Sequence, residues 1–398
     1  MHKFNNRHGK NNTMHIAKRI NQLGTETSFV VLARARELEA QGKDIVHLEI
    51  GEPDFDTAPN IIQAAKDALD AGFTHYGPAP GLPEFRKTIA KVEGDRRGLE
   101  FSPDQVVVTP GAKPIMYYAI MAVVDPGDEV IYPNPGFPIY ESAIELAGGI
   151  PIPLPLKEEK GFSFDVEDLR KLVTPKTRMI IINSPQNPTG GILTEADLKG
   201  IAEIAVKHDI IVLADEIYGR IVYDGFTNHT IASQPGMAER TIILDGFSKT
   251  YAMTGWRLGY GIMPVELAGI VAKLQTNVAS CTASFIQMAG NEALLGPQKW
   301  VDDVVEEFRK RRDLIVDGMN SLPGFKCHKP LGAFYVFPNI RATGIDSKEL
   351  ANKILYEGGV ACLSGTSFGA YGDGYLRFSY ANSIENIEKG IDRIRKIL

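Results

Sequence analysis

Residues 210–218 read Ile-Ile-Val-Leu-Ala-Asp-Glu-Ile-Tyr, and a little further on 242–249 read Ile-Ile-Leu-Asp-Gly-Phe-Ser-Lys. In each, a short apolar run rich in β-branched residues ends abruptly in ionisable ones. Such a run, without polar alternation, is the pattern of a strand buried on both faces, as in a parallel sheet covered by helices. Similar runs at 105–109, 129–132, 178–183 and 257–263, with those at 210–214 and 241–244, predict further strands. Between two of them, 194–208 reads as a helix: Thr194 is its N-cap, Asp197 stands at the third helical position, and Leu198, Ile201, Ile204 and Ala205 form an apolar stripe. Strand alternating with helix predicts an α/β fold around a mainly parallel sheet.

Outward from this region the texture changes. From about residue 291 a long charged helical pattern (300–319) precedes Leu322-Pro323-Gly324, followed by strand-like segments at 333–338 and 375–380. These predict a second, smaller α+β domain, which the helical segment 28–41 near the N-terminus is expected to join. The expected organisation is a flexible N-terminal extension at 1–24, an arm and small-domain segment at 25–55, a large domain at 56–295 and a C-terminal small domain at 296–398.

Bulk properties narrow the function. A chain of 398 residues has room for two or three domains and a cleft between them. The formal net charge of −6 and the absence of a long Lys/Arg block argue against a nucleic-acid surface. Cys281, Cys327 and Cys362 are odd in number and lack CxxC spacing, which argues for a reducing compartment rather than a disulfide framework. No apolar signal region occupies the first residues and no run of 18 uncharged apolar residues occurs, so a cytoplasmic protein without membrane attachment is expected. No HExxH or paired-histidine spacing supports a metal site, and no GxGxxG follows a strand to support a nicotinamide cofactor.

Ligands of open α/β sheets sit beyond the carboxyl ends of the strands, so residues there carry most of the functional information. Here the strand ends offer Pro110-Gly111-Ala112-Lys113, then Asn183-Ser184-Pro185-Gln186-Asn187, then Asp215-Glu216-Ile217-Tyr218, and then Ser248-Lys249. That edge suits a pyridine cofactor with a phosphate arm. Asp215 can keep a ring nitrogen protonated, and Asn187 and Tyr218 can bond a ring hydroxyl. Gly111-Ala112-Lys113 opens a helix whose free amides favour an anion, and Arg257, eight residues after Lys249, can add a fork-shaped charge.

The segments Ser-Pro-Gln-Asn-Pro-Thr-Gly-Gly (184–191), Ala-Asp-Glu-Ile-Tyr (214–218), Ser-Lys-Thr-Tyr-Ala-Met-Thr-Gly-Trp-Arg-Leu-Gly-Tyr (248–260) and Leu-Arg-Phe-Ser-Tyr-Ala (376–381) resemble, in order and spacing, the fold-type I, aspartate aminotransferase-like pyridoxal-phosphate enzymes. Gly51-Glu52-Pro53-Asp54-Phe55, Tyr76-Gly77-Pro78 and Gly332-Ala333-Phe334-Tyr335 look like the same family, and the likeness covers about residues 25 to 398. It implies a large domain whose seven-stranded, mainly parallel sheet is sandwiched by helices, with the N- and C-terminal segments forming the smaller domain. It implies pyridoxal 5′-phosphate held by Lys249 as a Schiff base, Asp215 on the pyridinium nitrogen, and Asn187 and Tyr218 on the ring oxygen. Gly111, Ala112, Lys113, Ser248 and Arg257 would surround the phosphate, and Phe137 would stack on the ring. Gly51, Asn187 and Arg377 would bind substrate, with Arg377 clamping the α-carboxylate as a bidentate fork. Tyr76 would reach the phosphate of a neighbouring subunit, which implies a homodimer with shared active sites.

Three departures from the family pattern stand out. Gln186 replaces a commoner Asn or His, a change read as surface-compatible; Gly246 lacks a hydroxyl that some relatives carry; and Phe137 replaces a Trp or Tyr. The activity implied is ping-pong transfer of an amino group from an L-amino acid to a 2-oxo acid. Lys113, which in a related subgroup meets an acidic side chain, tilts the expectation to aspartate or glutamate with 2-oxoglutarate. A β-lyase of the same fold and an aminotransferase for aromatic or alanine-like substrates remain as alternatives. A cofactor-binding transcription regulator is disfavoured, because about 25 residues precede the matching region, too few for a DNA-binding domain.

Overall fold

The computed structural model describes Met14 and residues 16–398. Most of the expected extension at 1–24 therefore lies outside the described residues; within it, Lys18–Gln22 forms a 3₁₀ turn. The strand β1 (Val46–His47) belongs to the smaller unit. The large sheet is built from β2 (Val106–Thr109), β3 (Glu129–Asn134), β4 (Ile150–Pro155), β5 (Thr177–Asn183), β6 (Ile211–Asp215), β7 (Thr241–Gly246) and β8 (Gly259–Ile262). Their order across the sheet is β2-β8-β7-β6-β5-β3-β4, and β8 is antiparallel to both neighbours while the other strands run one way.

The apolar runs are continuous because both faces of the sheet are covered. Met179 and Ile181 of β5 pack into the layer that holds the helices Lys113–Val123, Ile139–Leu146 and Val265–Ala279. Ile180 and Ile182 face the opposite layer, against Leu198, Ile201 and Ile204 of the helix Glu195–His208. Thr194 caps that helix as its sequence predicts, with reciprocal Thr194–Asp197 bonds.

Strand β4 is the one member of the sheet that the apolar pattern does not reveal. Its prolines at 151, 153 and 155 disqualify a central strand, but β4 is an edge strand. The alternate residues donate inward, Ile150 N–H to the Asp128 carbonyl (2.8 Å) and Leu156 N–H to the Asn134 carbonyl (2.9 Å), so the proline nitrogens fall on the open side.

In the smaller unit, β1 pairs in parallel with β10 (Val360–Ala361), while β9 (Tyr335–Val336), β11 (Leu363–Ser364) and β12 (Leu376–Ser379) form an antiparallel sheet in the order β11-β12-β9. The helices Lys299–Asn320 and Ile384–Ile397 share its core with Leu48, Phe334 and Phe378. Among the described residues, no helix is long and apolar enough to cross a membrane.

A buried knot of charge ties one helix to the functional edge of the sheet. The helix Pro83–Arg97 ends in Arg96 and Arg97. Arg97 Nη2 lies 2.8 Å from Glu216 and 3.3 Å from Asp245, and its Nη1 bonds Glu93. Arg96 Nη2 reaches Glu93 at 2.6 Å and Asp245 at 2.8 Å. Glu216 follows β6 and Asp245 lies in β7, so the knot fixes two strand ends at once. Removing one member of a buried ion pair strands its partners and typically costs about 3–5 kcal/mol. Arg97→Met is therefore expected to lower the denaturant-unfolding free energy by about that amount, and Arg97→Lys, lacking the fork, to recover only part of it. A loss below about 1 kcal/mol in Arg97→Met, the value of an exposed pair, would remove the knot from the account.

Candidate active site

A cavity of about 530 Å³ opens where the carboxyl ends of the large-sheet strands meet the smaller unit, within the usual range for small-molecule sites. Its walls hold Gly51, Ala112, Lys113, Phe137, Asn187, Asp215, Tyr218, Ser248, Lys249, Arg257 and Arg377. Those eleven come from seven separate stretches of chain, near residues 51, 112–113, 137, 187, 215–218, 248–257 and 377, brought together by the fold. Gly111 lies buried beside this wall, while Tyr76 is 90% exposed and stands outside the cavity.

Asp215 closes β6 at the cavity floor. It is buried, and its carboxylate accepts from Tyr140 Oη at 2.5 Å and from the Ile217 amide at 3.3 Å. Burial raises its pKa to about 6, against the opposing pull of those bonds, and Asp245 and Glu216 add to the rise. Lys249 follows β7 on a turn and donates from Nζ to the Gly51 carbonyl at 2.5 Å. Burial lowers its pKa to about 8, and the nearby Arg377 and Arg257 charges push the same way. A carboxylate and an amine thus face one cavity with pKa values displaced toward each other, the mark of groups set up for proton chemistry.

Arg377, on β12, forms another wall. Its Nη1 donates to Asn187 Oδ1 at 3.2 Å and its Nη2 to the Glu49 carbonyl. Its guanidinium carbon lies 4.6 Å from the Tyr335 ring centre and 4.9 Å from that of Phe368. Among the described residues the Nε of this buried arginine has no hydrogen-bond partner, so the side chain is held in place with donor capacity to spare. Tyr218 shares a 2.8 Å hydroxyl–hydroxyl bond with Tyr335. Gly51 admits that arrangement, since a Cβ there would sit 1.9 Å from the Tyr335 hydroxyl.

At the helix start, Arg257 adopts a left-handed backbone conformation and lays its guanidinium against Gly111, where a Cβ would come within 2.2 Å of Nη2. Gly111 has a positive φ of 85° of its own, so both the turn and the close approach require glycine. Lys113 does not point freely to solvent: its ammonium pairs with Glu26 and stands 5.5 Å from the Phe137 ring centre.

One reading of the sequence is corrected. Gln186 is buried rather than surface-compatible. Its amide nitrogen donates to the Pro135 carbonyl at 2.7 Å, and its oxygen accepts from Thr189 N–H at 3.1 Å and Oγ1 at 2.5 Å, joining two loops of the site. The expected absence of a hydroxyl at Gly246 has a steric cause, because a Cβ there would lie 2.9 Å from the Gly259 Cα.

Sequence reasoning assigned no role to Tyr335 or Glu26, and it weighed Tyr140 only as a core aromatic or a cofactor platform, not as the partner of Asp215. The signal for Tyr140 is its place three residues after Phe137 at the start of a helix, where a buried phenol must find an acceptor. Asp215 yields a test. Its folded pKa lies above the unfolded value of about 3.9, so the stability of the neutral form is fully present below that value and is lost as pH rises through 6. In cofactor-free protein Asp215→Asn is therefore expected to raise the unfolding free energy at pH 8 by about 2–3 kcal/mol, with the gap narrowing below pH 6. Equal or lower stability of the variant at pH 8 would contradict the burial argument.

Comparison with known proteins agrees with this geometry. The family model for aminotransferases of class I and II matches residues 43–394. The chain is 44% identical over 365 residues to the aspartate aminotransferase of Pyrococcus abyssi, covering 91% of this chain and 94% of that one. It is 43% identical over 363 residues to the aromatic-amino-acid aminotransferase 2 of Thermococcus litoralis, covering 90% and 93%. It superposes on the solved structure of aspartate aminotransferase from Thermus thermophilus with maleate at a TM-score of 0.93 and 35% identity, covering 96% of this chain and all of that one. The chain belongs to the class I and II aminotransferases, enzymes that transfer amino groups with pyridoxal 5′-phosphate as cofactor.

Proposed function

We propose that this enzyme transfers the amino group of aspartate or glutamate to a 2-oxo acid such as 2-oxoglutarate in a two-half, ping-pong reaction, with the cofactor held by Lys249 as a Schiff base. The observation that carries the reading is the presence of Lys249 and Asp215 in one cavity with pKa values near 8 and 6. The residues fit the cofactor. A carboxylate closes the floor, an amine faces it, small residues open a helix at one side, and Arg377 keeps an unpartnered buried donor.

When bound, the protonated pyridine ring withdraws electrons from the substrate Cα. Asp215 would hold the proton on the ring nitrogen, with Tyr140 fixing the carboxylate in place. Asn187 and Tyr218 would bond the ring oxygen, and Phe137 would cover a face of the ring. The amides opening the helix Lys113–Val123, with Ser248 and Arg257, would hold the phosphate. Arg377 would clamp the substrate α-carboxylate and Gly51 would border it. Lys249, with its pKa near 8, would take up and return the Cα proton; a pKa near the working pH makes such an exchange efficient in both directions. The side chain of Lys113 would meet the acidic group of the donor. Tyr76, exposed on the surface, would complete the phosphate site of a second copy in a cytoplasmic homodimer.

The apolar walls at Phe29, Phe137 and Phe368 favour aromatic donors as a second reading. A half-reaction screen with the twenty amino acids, following the visible absorbance of the bound cofactor, tests both. Aspartate and glutamate are expected to bleach it with stoichiometric release of the 2-oxo acid, and Lys249→Ala to lose turnover by at least about a thousandfold. If the two acidic amino acids leave the spectrum unchanged while aromatic ones bleach it, the second reading replaces the first.

A further inference from the structure

The segment leading into the first helix runs along the cavity wall, which Glu26, Thr27, Ser28 and Phe29 line. The Gly24 N–H donates to Ser142 Oγ at 3.0 Å, on the large-unit helix Ile139–Leu146. Two residues later the Glu26 carboxylate bonds the Lys113 ammonium. From Thr27 the chain enters the helix Thr27–Ala40, which packs Ala35 and Leu38 against Ile45, Leu355 and Ala361 of the smaller unit. Glu26 therefore stands between the two units and lines the cavity itself.

Two observations bear on Glu26. It stands at the N-cap of its helix, where its side chain makes no capping bond. A negative charge there is favoured by the helix dipole. The carboxylate instead reaches Lys113. Its charge is also felt deeper in the site, where it favours the protonated forms of Lys249 and Arg377. Of the three carboxylates on the cavity wall, Asp215 is engaged by Tyr140 and Glu52 by Thr254, which leaves Glu26 as the one bound to a cation of the cavity.

We propose that Glu26 is a specificity-determining latch: it occupies Lys113 as an internal stand-in for a substrate side-chain carboxylate, which a dicarboxylic substrate displaces and an apolar substrate leaves in place. The inference rests on the reading in which Lys113 receives the acidic side chain. With the latch closed, the Lys113 charge is neutralised and Phe29 and Phe137 border a site that accepts an apolar side chain without facing it with an unpaired cation. With the latch open, one carboxylate has replaced another on Lys113. The displaced Glu26 charge then finds the uncapped amides of its own helix, which offsets part of the cost of opening. The pair is partly exposed, so the exchange is shallow enough for a substrate to drive.

The test uses cofactor-loaded enzyme and two unreactive probes, the dicarboxylate maleate and the monocarboxylate 3-phenylpropionate, titrated by calorimetry. Glu26→Gln is expected to raise the ratio of maleate to 3-phenylpropionate affinity about tenfold, because maleate no longer competes with an internal anion. Lys113→Met is expected to lower the same ratio by a similar factor. Binding of 3-phenylpropionate reports that each variant is folded. If Lys113→Met lowers the ratio but Glu26→Gln leaves it at the starting value, the latch is overturned and the acidic-side-chain reading stands. If Lys113→Met leaves the ratio unchanged, both fall.

Discussion

Everything at the functional edge depends on the register in which β5, β6 and β7 lie side by side. Asn183 pairs with Asp215 and Asp215 with Leu244, so the loops that carry Asn187, Asp215 and Lys249 leave the sheet at one level. Asn183 secures the alignment: its amide nitrogen donates to the Asp215 carbonyl at 3.0 Å and to that of Pro185 at 3.2 Å, while its oxygen accepts the Asn187 N–H at 2.9 Å. A slip of one residue in β6 would send Asp215 to the opposite face of the sheet. Its own face is the one where Leu213 packs with Tyr140. The apolar surface on both sides therefore specifies the position of a charge.

That charge and its neighbours are held at a cost. Burial displaces the pKa of Asp215 upward and that of Lys249 downward, and among the described residues neither forms a salt bridge. Arg377 is buried with one donor left over. Buried ionisable groups in this condition are destabilising unless something satisfies them, and in the proposed reading a ligand bearing a cationic ring nitrogen, a carbonyl carbon and carboxylates would supply what each lacks. The Arg96–Arg97 knot behind the sheet is the opposite case: its carboxylates and guanidiniums satisfy one another and hold the strand ends on which the unsatisfied groups stand.

How much of this was legible in the chain depends on whether the determining contact is local. Strand ends were readable because an apolar run followed by Asn187, Asp215 or Lys249 is a pattern within a dozen residues. Strand β4 was hidden by its own prolines, whose compatibility rests on an edge position that only the assembled sheet reveals. Gln186 was misread because a polar residue in a loop is ordinarily exposed, and its burial follows from the approach of the Pro135 loop. The bonds Tyr140–Asp215 and Glu26–Lys113 join residues 75 and 87 positions apart, and no local pattern announces either. Tyr76 is placed in the open, and its proposed service to a second copy was legible only as a family resemblance.

The central claim is that Lys249 is the residue that bonds the cofactor. Reduction of the cofactor-loaded protein with borohydride, digestion and mass mapping of the peptides tests it most directly. The account predicts a single stoichiometric pyridoxyl-phosphate adduct on the peptide that carries Ser248-Lys249-Thr250; an adduct on any other lysine, with Lys249 unmodified, would contradict it.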